Sequence, residues 1–116
     1  MLLDKFVMES LLTGTCIYRD LPEAARIKQL RNLKGFAQSQ PKKLLYVVDY
    51  IENGLTPGFV SGEGPLITYA FGGIIELTAP DLVQTFKERA QAACQSGQAL
   101  RDWLSANAEN PLVEAA

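Results

Sequence analysis

The sequence predicts an all-α fold, a compact single-domain bundle of five or six helices. Three observations lead there. Apolar residues recur at helical intervals along most of the chain, helix-start signatures stand at Asp20 to Glu23 and Thr78 to Asp81, and 116 residues with 47% apolar content suit one core. An α+β alternative, with a short hairpin at 66–78, stays open.

The first helix is read from Leu2, Leu3, Phe6, Val7 and Leu11, ending at Thr13 and Gly14. The second opens at Asp20-Leu21-Pro22-Glu23, where an acid precedes the helix and proline occupies the first turn, its missing amide harmless. It runs to about Lys34 or beyond, Gly35 either ending or only weakening it, with Ile27, Leu30, Leu33 and Ala37 on one face at 100 degrees per residue. The third, from Ser39-Gln40-Pro41 to Asn53-Gly54, is expected from Leu44, Val47, Val48 and Ile51 at i, i+3, i+4 and i+7.

Residues 54–65, with four Gly and two Pro, read as a loop. Leu66 to Leu77 fits either a helix through Gly72 and Gly73 or two strands about a Gly-Gly turn; the helical reading is preferred for the bundle. Thr78-Ala79-Pro80-Asp81 then starts a helix with Leu82, Val83, Phe86, Ala90 and Ala93 on its stripe. Leu100, Trp103 and Leu104 continue that stripe past Gly97. Asn110 and Pro111 are expected to stop it, with a frayed tail from about residue 108.

The inventory of reactive groups excludes much. The chain has no His and two Cys, Cys16 and Cys94, 78 residues apart, so neither zinc nor haem ligand spacing is present and no disulfide is expected. The glycines at 58, 62 and 64 match no phosphate-binding loop, since no Lys-Ser/Thr follows. No two acids are spaced as a catalytic pair, and Cys16 lacks a histidine partner. No enzyme activity, cofactor or metal is expected. Acids at Asp4 and Glu9 interrupt the first apolar run, and the apolar stretch 65–75 is too short to span a bilayer, so the expected location is cytoplasmic without a membrane span.

Charge is distributed unevenly. The formal net charge of -2 combines a balance of +5 over residues 19–43 with -6 over 44–116 and -1 over 1–18. On the second helix Lys28 points away from the apolar stripe and Arg31 to its side, whereas Arg26 and Lys34 fall on the stripe and must reach outward. With Lys42 and Lys43 they form a basic segment suited to phosphates, an acidic protein surface or the acidic part of a second copy.

Within this segment, Ile27-Lys-Gln-Leu-Arg-Asn-Leu-Lys-Gly-Phe-Ala-Gln38 resembles the opening helix and turn of Cro/repressor-type helix-turn-helix domains. Val48-Asp-Tyr-Ile-Glu-Asn-Gly54 resembles the close of their recognition helix. The spacing between these words is about four residues shorter than usual in that family, and Gln40-Pro41-Lys-Lys-Leu-Leu replaces the second helix and turn. The resemblance implies that residues 40–49 face DNA, with Lys42 and Lys43 on phosphates.

Tyr46 and Tyr50, spaced i, i+4, form a candidate aromatic pair on the third helix, and Phe59 and Val60 either present themselves from the loop or anchor it. The candidate partner-binding residues are therefore Arg26, Lys28, Arg31, Lys34, Lys42, Lys43, Tyr46, Tyr50, Phe59 and Val60. The expected function is that of a small non-enzymatic adaptor or regulatory protein acting by protein–protein contact, with a homodimer among its assemblies. The alternative is a nucleic-acid-binding regulator that uses residues 26–43.

Overall fold

A computed structural model of the chain describes residues 2–39, 45–55, 58–60, 64–70 and 72–116. The chain divides into two compact units, Met1–Asp49 with Gly97–Ala116, and Tyr50–Ser96. Among the described residues the first contains four α-helices and a three-stranded sheet and the second one helix and a three-stranded sheet, so the fold is α+β and the all-α bundle is corrected.

The first unit begins with strand β1 (Leu2–Asp4) and helix α1 (Lys5–Thr13). Asp4 switches the chain between them: its side chain accepts from the Phe6 amide at 3.3 Å, capping α1. The helix ends at Gly14, whose φ of 68° places it in the left-handed region, with its amide donating to the Ser10 carbonyl. After a 3-10 turn (Cys16–Tyr18), helix α2 runs from Glu23 to Ser39, straight through Gly35. Its predicted stripe holds: Leu30 is fully buried, and Ile27, Leu33 and Ala37 pack against the core.

The predicted third helix does not form. Residues 40–44 lie outside the described residues, Tyr46–Val48 is strand β2, and residues 50–54 form a turn closed by the Leu55 amide on the Tyr50 carbonyl at 2.8 Å. The run Leu45-Tyr46-Val47-Val48 is continuously apolar, a pattern shared by buried strands and buried helices. Tertiary pairing decides between them. β2 is the central strand of its sheet, parallel to β1 (Leu3 opposite Val47) and antiparallel to β6 (Gln98–Ala99; Tyr46 opposite Ala99). Val47 and Val48 point to opposite faces and both are buried, which explains why the segment lacks a polar face. The segment resembling the close of a recognition helix is thus a strand end and a turn, and those words do not build a helix-turn-helix.

β6 leads into helix α4 (Leu100–Ala106), fixed by the Leu100 amide donating to the Leu45 carbonyl at 2.8 Å. Residues predicted to fray instead form helix α5 (Pro111–Ala115), with Leu112 and Val113 buried. Asn110 and Pro111, taken as a stop, are a start: the Asn110 side chain accepts from the Leu112 amide at 2.9 Å and Pro111 opens the first turn. The core joins Met8, Leu11 and Leu12 of α1, Leu30 of α2, Leu45 and Val47, Leu100 and Trp103 of α4, and Leu112 and Val113.

The second unit holds strands β3 (Gly58–Val60), β4 (Leu66–Ala70) and β5 (Gly73–Leu77), all antiparallel in that spatial order, and helix α3 (Pro80–Ser96). The hairpin reading of 66–78 is the right one, with Ala70 opposite Gly73 and Gly72 at a φ of 75°, a conformation that favours glycine. β3 falls inside the stretch expected to be loop. On α3 the stripe is kept at Val83 and Ala93, both buried, but Leu82 is exposed. Arg89 donates to the Gly54 carbonyl at 3.2 Å, tying α3 to the 50–54 turn.

Gly14, at the end of α1, and Gly35, within α2, make opposite predictions. A Cβ on Gly14 would sit 2.9 Å from Arg26 Cζ in addition to the positive φ, whereas one on Gly35 meets nothing within 4 Å. Gly14→Ala is expected to destabilise by about 2 kcal/mol and Gly35→Ala to stabilise by about 1 kcal/mol, measured by urea denaturation followed at Trp103.

Candidate functional site

The basic residues of α2 are the natural first site, and the structure gives most of them internal partners. A helix C-terminus leaves carbonyls without intrahelical donors and carries partial negative charge. Arg26 meets that need on α1: its Nη1 donates to the Leu11 carbonyl at 3.0 Å and to the Leu12 carbonyl at 3.2 Å. Its Nε is buried with no acceptor, a cost that the two charge-assisted bonds offset. One helix face further along, Arg31 Nη2 donates to the Ala115 carbonyl and Lys34 Nζ to the Ala116 carbonyl, each at 3.1 Å. Both hold the end of α5. Lys28 alone of the four stands exposed with no partner among the described residues.

The other predicted site residues are dispersed. Lys42 and Lys43 lie outside the described residues. Tyr46 is half-buried in β2, opposite Leu2 and Ala99, and Tyr50 opens the turn of the other unit, so they are not an i, i+4 pair on a helix. Phe59 and Val60 lie in β3, in register with Ile67 and Leu66. Cys16 is exposed at a φ of 52°; Cys94 is half-buried, and both are free thiols. Among the described residues no group of three or more His, Cys, Asp or Glu is arranged to hold a metal, and no helix is long and apolar enough to cross a membrane.

Two features escaped the sequence reading. In the second unit β5 is paired, among the described residues, on one side only, with β4, and its strand Gly-Ile-Ile-Glu-Leu carries no Pro or Lys to discourage further pairing. Ile74 is 69% exposed and Glu76 stands exposed beside it, while Ile75 and Leu77 are half-buried. The alternation was visible in the sequence only once a strand was assumed. In the first unit a cleft of about 620 Å³ lies between α2, α4 and α5, walled mainly by Ala37, Leu45, Leu100, Leu104 and Val113. Its polar lining is Lys34, Gln38, Arg101 and Ser105, with no acid among the described residues. No motif announces it, because α2 and α4 are more than 60 residues apart in the chain.

Comparison with protein-family models, with curated proteins and with solved structures returns no match to this chain.

The α2 contacts predict an ordering of substitutions. Arg26→Gln, which withdraws a charged donor from two partly buried carbonyls, is expected to lower stability by about 2 kcal/mol. Lys28→Gln should stay within about 0.5 kcal/mol of the parent. Denaturant midpoints of the two variants read the difference directly.

Proposed function

We propose that this is a cytoplasmic, non-enzymatic interaction protein, an adaptor or regulator that works by protein–protein contact and self-associates through strand β5. The open edge of β5 carries the reading. On its outer side, alternate residues of this five-residue strand present backbone donors and acceptors with no strand partner among the described residues, and Ile74 has most of its surface in water.

The edge is self-complementary. In an antiparallel pair of two β5 strands centred on Ile75, each Glu76 falls opposite Ile74 of the other copy and Gly73 opposite Leu77, so no carboxylates face one another. A parallel pair in register would stack Glu76 on its equivalent, which disfavours that arrangement. A two-fold pairing of this kind closes after two copies, consistent with a homodimer. The composition supports the absence of catalysis: the chain has no histidine. A nucleic-acid-binding role for residues 26–43 has less support, since Arg26, Arg31 and Lys34 already donate to helix ends.

Size-exclusion chromatography with light scattering tests the proposal. The parent is expected at twice 12.7 kDa at micromolar concentration, and Ile74→Lys, a tolerable change at so exposed a position, is expected at 12.7 kDa with unchanged circular dichroism. A parent that is monomeric at every concentration would overturn it, as would an Ile74→Lys variant that stays dimeric.

A further inference from the structure

The cleft of the first unit combines an apolar lining with the cationic side chains of Lys34 and Arg101, and its volume lies within the range of small-molecule sites. Leu45, Leu100 and Val113 are buried and floor the cleft, while the half-buried Ala37, Ala99 and Leu104 supply the accessible apolar surface, against which water gains little. Lys34 and Arg101 line the same cleft, and no Asp or Glu among the described residues lines it with them. Lys34 is half-buried and commits one of its three donors to the Ala116 carbonyl at 3.1 Å. Arg101 is exposed on α4, and its guanidinium has no hydrogen bond or ion pair among the described residues. Its planar fork matches a carboxylate in two-point contact.

We propose that this cleft binds a small amphiphilic monocarboxylate, with the alkyl chain against Ala37, Ala99 and Leu104 and the carboxylate at Arg101, next to Lys34. Charge complementarity selects the anion. The apolar walls select a chain over a compact polar acid such as acetate. The site is confined to the first unit and does not depend on pairing at β5.

Isothermal titration calorimetry of the full chain with decanoate, kept below its micelle concentration, tests the site beside parallel titrations with decanol and acetate. Decanoate is expected to bind at one site in the micromolar range, decanol at least about tenfold more weakly, and acetate not measurably. Arg101→Glu should weaken decanoate by about tenfold or more. Ser105→Phe, which fills the cleft from an exposed helix position, should abolish binding. No heat with decanoate, equal affinity for decanol in the parent chain, or an Arg101→Glu variant that binds decanoate as the parent does would each overturn the proposal. The decanol arm needs no variant to fold.

Discussion

The carbonyl ends of two helices need donors, and α2 supplies them from one stretch of nine residues, Arg26 to Lys34. Arg26 lies across the end of α1, where Gly14 turns the backbone aside and leaves room that any Cβ would occupy. Arg31 and Lys34 reach the end of α5. Between them Leu30 is buried at the centre of the first unit, so the helix that supplies the charges also supplies a core residue. Polar clamp and apolar packing depend on the same helix position. A shift of α2 along its axis would lose both together.

This reading alters what the charge asymmetry means. A balance of +5 over residues 19–43 looked like an advertisement for an anionic partner. Three of those charges instead donate to main-chain oxygens at helix C-termini inside the chain, where a cation is favoured. What the fold leaves open among the described residues lies elsewhere and is of different character: a strand edge in one unit, and a cleft with an unpaired guanidinium in the other. Neither relies on net charge, and both rest on groups that the fold leaves unsatisfied.

Much of the helical part was legible in the sequence. The α2 stripe, the start of α3 near Pro80 and the end of α1 at Gly14 follow from periodicity and capping chemistry that act over a few residues. Even the oddity of Arg26 and Lys34 on an apolar stripe was visible, and it marked residues whose charge is satisfied internally. What could not be read was decided by long-range pairing. Val47 and Val48 fit a helical face and a doubly buried strand equally well, and only β1 and β6, more than 40 residues away on either side, select the strand. Asn110-Pro111 ends one helix and begins another with the same chemistry, and burial of Leu112 and Val113 resolves which. The cleft joins residues of α2 and α4, a relation that no local pattern encodes.

Hydrogen exchange at the end of α5 tests most directly whether the α2 cations serve the chain's own helices. The Glu114 amide donates to the Asn110 carbonyl and the Ala116 amide to the Leu112 carbonyl, each at 3.1 Å, so their protection reports whether α5 is held. In a variant combining Arg31→Gln and Lys34→Gln, protection at Glu114 and Ala116 should fall while that of the Leu30 amide is kept, and Lys28→Gln should change neither. Unaltered protection of α5 in the double variant would contradict the account.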